Sequence, residues 1–445
     1  MKGWSRSRSE LPEVLIMEIL VRLPVKSLTR FNCVCRSWCC CFQTSNFISK
    51  HHDINLKNNR LNLLCTRSVG MHRNVIPYFT QLSTEHHDFL SAKHDIHFTC
   101  FEDCGYPPDV LGPRNGLLCI YTGGQRNKMV LWNPSTREFK TLPPSSIKPP
   151  SPGYITVDTA GFGFDSNIGD YKVVQFVDRI ALNHSLPADE RPLPGYKYDF
   201  TAEVYSLKTD SWKEIPFTGA FPDGFHNLCD SYVNGRCYWH AGRDPLPEPD
   251  PRILSFDMAD DTFSTCPFPD FGGSLEHYRF QLSEFYGSLG IFIFPYTAPA
   301  KSFDLWVMDG AYTWTKQLCI EPIPGVENPL GFWTNGDLFL ETPDHQLLLF
   351  DHRTGELKSL GITTSLDSVR VFAYAESLVP INGAAERKGS VIRQPYQNNC
   401  PEVRKKQKKY RRRDEDSFYG KIGHGHRYGY GYGYNPNHKW RNWWF

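Results

Sequence analysis

The sequence predicts a multidomain α+β chain: a small helical unit at the N-terminus, an all-β body of repeated hairpins, and a basic tail. Three observations carry this. Residues 11–42, LPEVLIMEILVRLPVKSLTRFNCVCRSWCCCF, hold two apolar stripes at helical spacing. Beyond residue 130 a strand–turn–strand pattern recurs, with a period near 50 in its middle part. The formal net charge of +1 conceals a split, because residues 384–445 hold 15 Lys and Arg against 5 Asp and Glu, and the remainder 34 against 43. A mildly acidic body thus carries a basic tail, and 445 residues suit two or three units.

In the N-terminal stretch, Leu15, Ile19, Leu20 and Leu23 form one stripe between Pro12 and Pro24. Pro12 suits a first helical turn, where its missing N–H costs nothing, and Pro24 cannot continue the helix it ends. Leu28, Phe31, Val34, Cys35 and Trp38 form a second stripe. Two or three short helices in roughly 40 residues cannot bury this much apolar surface by themselves. The excess must meet the rest of the chain or a partner.

The pattern LPxxLxxxILxxLPxxxLxxxxxVCRxW, with Phe47 and His51 after it and its two Leu-Pro pairs twelve residues apart, closely resembles the F-box. That resemblance implies that residues 9–50 dock onto a Skp-type adaptor and, through it, a cullin. It assigns Leu11, Pro12, Leu15, Ile19, Leu20, Leu23, Pro24, Leu28, Val34 and Trp38 to the adaptor interface or its immediate support. The chain departs from the family at Cys39-Cys40-Cys41-Phe42, where polar residues and then a Leu-Ile pair are commoner. Cys and Phe remain apolar and packable there.

Five segments of the body pair an aromatic or apolar residue with another seven positions on, across a polar turn. They are Trp132-NPSTRE-Phe139, Tyr205-SLKTDS-Trp212, Phe256-DMADDT-Phe263, Val307-MDGAYT-Trp314 and Phe350-DHRTGE-Leu357. Turn formers fill each middle, so each reads as a hairpin. Asn115-Gly116, Asn234-Gly235, Tyr286-Gly287 and Asn335-Gly336 each introduce another apolar run. Several strands per unit of about 50 residues are the signature of a kelch-like β-propeller over residues 60–383. Six blades are expected, with five and seven as alternatives. The run at 369–375 is expected to close the ring with strands from residues 60–100.

The phrases LWNPSTREFKTLPP, GFGFDSNIGDYKVV, AEVYSLKTDSWKEI and VNGRCYWHAG resemble the F-box-associated domain of the large plant F-box family, and S-locus-type F-box proteins in particular. The resemblance covers about residues 10–383. It implies the substrate-recognition subunit of an SCF-type ubiquitin ligase, with the F-box on the adaptor and the propeller on the protein to be ubiquitinated and degraded. Target choice is expected in loops such as 179–198 and 242–251. The alternative is a non-catalytic scaffold, nuclear or RNA-associated, that docks the adaptor without delivering a substrate.

Other classes find no support. The first residues lack an apolar signal segment, and no run reaches the roughly 18 residues of a membrane helix. Cytoplasm or nucleus is therefore expected, with the 14 cysteines reduced. Cys33, Cys35, Cys39, Cys40 and Cys41 have no second ligand pair at zinc spacing, so no metal is expected. GxGxxG, phosphate-loop, GxSxG and HExxH motifs are absent, which argues against a cofactor or intrinsic catalysis.

The tail, residues 384–445, reads as disordered. Arg404, Lys405, Lys406, Lys408, Lys409, Arg411, Arg412 and Arg413 form a candidate nuclear-import run. With the Gly/Tyr alternation from Tyr428 and the terminal tryptophans, the same segment is the only candidate for a nucleic-acid contact.

Overall fold

The computed structural model describes residues 11–69, 76–83, 93–97, 101, 108–123, 127–181, 200–217, 231–241, 252–273, 277–310, 312–364 and 369–381. The basic run at 404–413, and all of 384–445, lie outside them, as do residues 182–199 and 242–251 of the loops expected to choose a target. Four helices open the chain: α1 (Glu13–Leu20), α2 (Val25–Phe31), α3 (Arg36–Cys41) and α4 (Ser45–Lys57). Among the described residues no helix is long and apolar enough to cross a membrane.

Among the described residues twenty-four strands follow. They begin with β1 (Leu61–Val69), β2 (Ile76–Ser83) and β3 (Lys93–His97), and the first complete blade is β4 (Asp109–Arg114), β5 (Leu117–Thr122), β6 (Lys128–Asn133) and β7 (Glu138–Thr141). The second is β8 (Gly153–Asp165), β9 (Asp170–Ala181), β10 (Phe200–Ser206) and β11 (Ser211–Ile215); the third is β12 (Ser231–Val233), β13 (Arg236–Ala241), β14 (Arg252–Asp257) and β15 (Thr262–Pro267). The fourth is β16 (Tyr278–Phe285), β17 (Ser288–Pro295), β18 (Ala300–Met308) and β19 (Trp314–Pro324). The fifth is β20 (Asn328–Phe332), β21 (Leu338–Glu341), β22 (Gln346–Asp351) and β23 (Glu356–Thr363).

The sixth blade joins both ends of the body. Its order is β24-β1-β2-β3, with β24 (Arg370–Ala375) antiparallel to β1 from Leu61↔Ala375 to Thr66↔Arg370. β24 also lies against β4 and β20, so the last described strand is the innermost strand of the closing blade. The ring has six blades. It is sealed by six apolar cores, one per neighbouring pair: Leu131 and Val173 belong to the first, Phe176 and Trp239 to the second, Ile253 and Ile291 to the third. Phe292 and Leu340, then Leu349 and Leu63, then Leu64 and Trp132 complete the circle. No blade buries both faces without its neighbours.

The hairpins explain themselves residue by residue. Trp132↔Phe139, Tyr205↔Trp212, Phe256↔Phe263 and Phe350↔Leu357 pair at the spacing the sequence predicts. In all five, the residue five positions after the first anchor has positive φ: Arg137, Asp210, Asp261, Tyr312 and Gly355. The residue after the anchor is Asn133, Asp257 or Asp351 in three of them, and its Oδ1 accepts turn N–H groups at 2.8–3.3 Å. The fourth hairpin differs. Met308 stands where the acceptor belongs, and Asp309 takes over by accepting the Thr313 N–H at 2.8 Å. The register slips by one, pairing Met308↔Trp314 and Val307↔Thr315, and this corrects the expected Val307–Trp314 pair.

Gly161 and Gly163, on inner strand β8, allow the third blade to approach. A Cβ on Gly161 would stand 2.6 Å from the Trp239 ring, and one on Gly163 2.5 Å from Met258. The inner strands all run toward one face of the ring. That face carries their turns into the second strands and, at the closing blade, α4. The second strands end, and the third strands begin, at the opposite face.

Candidate adaptor-docking site

The helical module is built on proline and aromatic residues. Pro12 and Pro24 are the N-cap residues of α1 and α2, and neither offers a side-chain cap. The Pro12 carbonyl accepts from the Leu15 and Ile16 N–H groups at 2.9 and 3.1 Å. α1 ends at Leu20, and a turn through Leu23, not Pro24 itself, stops it. Leu20, Val21, Leu28, Phe42 and Phe47 form the module's core. Across it runs an aromatic series, Phe31–Trp38–Phe42–Phe47–His51, with centroid spacings of 5.8, 6.4, 5.1 and 6.4 Å.

The expected docking residues divide into two groups. Leu11 (57% exposed), Leu15 (49%), Ile19 (53%) and Val34 (57%) present bare apolar side chains to solvent, and Pro12 and Pro24 are exposed beside them. Leu20 and Leu28 do not, being 3% and 0% exposed, so they support the face from within and cannot contact a partner directly. Leu23 and Trp38 are half-buried against the same core. Val14, at 72% the barest of these side chains, lies off the motif's stripe and was not singled out by it. A depression of about 380 Å³ between α1 and α3 is lined by Val14, Met17, Trp38 and Cys41. Of the departing residues, Phe42 packs in the core, Cys41 is half-buried, and Cys40 is exposed.

Polar contacts steady this surface. Glu18 accepts from Lys50 and, at 2.7 Å, from Arg22, and the Lys50 hydrogen bond chiefly holds its carboxyl below the ordinary range. The elbow between α1 and α2 is gripped from three sides. Arg60 donates to the Arg22 carbonyl at 2.8 Å, His51 Nε2 lies 2.9 Å from the Leu23 carbonyl, and Glu376 Oε2 accepts the Val25 N–H at 2.8 Å. Burial pushes the His51 pKa down, so its ring is neutral near pH 7 and donates from Nε2. Glu376 carries no signal in the sequence, because its partner is 351 residues away.

One grouping among the described residues has metal-ligand character: Asp337, Asp351 and His352, with ligand atoms within 4.8 Å of one another. Its charge is already met. Arg353 bonds to Asp351 at 3.1 Å and stands 3.5 Å from Asp337, where a bound cation would be repelled. The cysteines at 33–41 form no such group.

Comparison with known proteins agrees with this architecture. The profile of the F-box domain matches residues 8–50, and that of the F-box associated beta propeller domain matches residues 91–381. An F-box/kelch-repeat protein of Arabidopsis thaliana is 27% identical over 340 residues, covering 73% of this chain and 83% of that protein. An F-box protein of the same plant is 26% identical over 390 residues, covering 79% and 87%. Helical module, closed six-bladed ring and matched profiles together place the chain in the family of plant F-box proteins with a C-terminal F-box associated β-propeller domain.

Proposed function

We propose that this protein is the substrate-recognition subunit of a Skp–cullin–F-box ubiquitin ligase. The observation that carries the reading is the set of exposed apolar side chains Leu11, Val14, Leu15, Ile19 and Val34 on a small module with a packed core of Leu20, Val21, Leu28, Phe42 and Phe47. Such a patch on a small helical unit fits a protein partner. The Skp-type adaptor is that partner, and the cullin joins through it. The face of the ring away from the helices receives the protein to be ubiquitinated. Transfer chemistry belongs to the partner subunits, and marking leads to proteasomal degradation. The protein works in cytoplasm and nucleus, with the run at 404–413 as the import signal.

Capture of purified Skp-type adaptor by the full chain tests the first half. Changing Leu11 and Pro12 together to Ala removes an anchor and reshapes the start of α1, costing a few kcal/mol of binding. Undiminished capture by that variant overturns the assignment. Proximity labelling with and without proteasome inhibition tests the second half, through a neighbour that accumulates only under inhibition.

A further inference from the structure

We propose that residues 376–381 are an interlock that makes adaptor docking conditional on closure of the ring. They follow β24 directly, and their side chains alternate between two bodies. Glu376 and Leu378 turn to the helical module. The Glu376 carboxylate accepts the Val25 N–H, its carbonyl lies 3.4 Å from His52 Nδ1, and Leu378 packs on the core that holds Leu20 and Leu28. Ser377, Val379 and Ile381 turn to the ring. The Ser377 N–H donates to Ser135 Oγ at 3.1 Å, and Asn133 Nδ2 donates to the Ser377 and Val379 carbonyls, each at 3.0 Å. Val379 and Ile381 join the core between the first two blades. The strap also presses on the β4–β5 turn, where a Cβ on Gly116 would stand 2.4 Å from Ser377 Cβ.

Neither body can make these contacts alone. Helix α2 begins with orphan N–H groups, and Pro24 has no side-chain acceptor to meet them. The acceptor arrives from the far end of the chain instead. It reaches Val25 only when β24 has paired with β1 and taken its place between β20 and β4. Leu23 and Pro24 immediately precede the bonded amide, and Leu28 lies in the helix it starts. A truncated or unclosed ring therefore leaves the docking elbow with its Arg60 and His51 holds but without the Glu376 cap on α2, and the module's core without Leu378. The device withholds the adaptor from chains with no finished recognition surface. The inference rests on the docking reading above, and its test is built to fail separately.

The test uses the full chain, Glu376→Ala, and Glu376→Ala with Leu378→Ser. Amide exchange over residues 25–31, thermal unfolding of the ring and affinity for purified Skp-type adaptor are measured on each. The expected result is cooperative ring unfolding in all three, exchange over 25–31 faster by about tenfold in the paired variant, and adaptor affinity lower by about tenfold, each the worth of one lost cap. If the unaltered chain does not bind adaptor, the docking reading falls and the interlock with it, while the exchange data still decide whether Glu376 and Leu378 hold the start of α2. Unchanged exchange at 25–31, or unchanged affinity in a variant whose exchange has risen, overturns the interlock. Should the paired variant destabilise the ring, Glu376→Ala alone, which removes the carboxylate bonded to the Val25 N–H and keeps Leu378, must still speed exchange at Val25.

Discussion

The ammonium of Lys172, on β9 of the second blade, lies 2.8 Å from the Asp261 carboxylate in the outer turn of the third and 2.9 Å from Asp165 of its own blade. It also donates to the Met258 carbonyl at 2.7 Å. Burial draws the amine's pKa down, but the two carboxylates outweigh it and the net direction is upward. Burial likewise pushes Asp165 up, and Lys172 with the Ile168 and Asn167 N–H groups pulls it below the ordinary range.

Lys172→Met leaves Asp165 buried without its countercharge, at a cost of about 3–5 kcal/mol near neutral pH. The carboxylate's depressed pKa makes its share of stability present above the unfolded value, about 3.8, and lost as pH falls through the folded one. The lysine's raised pKa makes its share full below about 10.5 and lost only at higher pH. Denaturant unfolding of both proteins should therefore show a gap that is flat from pH 5 to 9 and narrows in stronger acid. A gap that widens in acid would contradict the pairing.

His240, near the end of β13, has its Nε2 enclosed with no hydrogen-bond partner among the described residues, beside the rings of Phe268 and Phe280. Burial pushes its pKa down to about 4. The unfolded chain takes up the proton near pH 6.5, so stability is full above that pH and declines as pH drops toward 4. The whole decline is about 3 kcal/mol. His240→Leu should flatten the unfolding midpoint between pH 6.5 and 4.5. An identical slope in that variant would remove the histidine from the account.

Leu28 and Leu15 should fail in different ways. Leu28→Ala opens a cavity in the module's core and costs about 2–5 kcal/mol there. Leu15→Asp alters a half-exposed side chain, so module stability should move by no more than about 0.5 kcal/mol while adaptor capture is lost. Hydrogen exchange over residues 13–57 separates the two, and equal loss of protection in both would refute the division into face and support.

How much of this was legible follows from sequence distance. Trp132 and Phe139 are seven residues apart, so their pairing is written locally in turn formers. The slip at Met308 was hidden because the apolar pattern survived while the turn's acceptor moved to Asp309. Periodicity marked Leu20 and Leu28 as apolar but could not say which side chains their neighbours cover. Glu376 stayed invisible for a stronger reason: its carboxylate and the carbonyls of Ser377 and Val379 find partners more than 240 residues away, and their meaning exists only after the ring has closed.

Cutting the backbone after Asp270, between β15 and β16, should destroy the ring. The cut divides the core that Ile253 and Ile291 share, and the N-terminal piece also loses β24 from the closing blade. Insoluble or non-cooperative fragments are expected in separate expression, since each blade relies on its neighbours. Two halves that melt cooperatively on their own would exclude a closed ring.

The placement of the helices at one face and of the second-strand ends at the other makes the ring a spacer of set thickness. An inner strand such as β16 has eight residues and spans about 26 Å at the rise of an extended chain. On the reading proposed above, a target bound at the far face would stand at about that distance from the helical module. Sequence changes in 182–199 or 242–251 would, on the same reading, alter what is bound without altering the ring that separates it from the helices. Such a subunit would then change its target while keeping a constant reach.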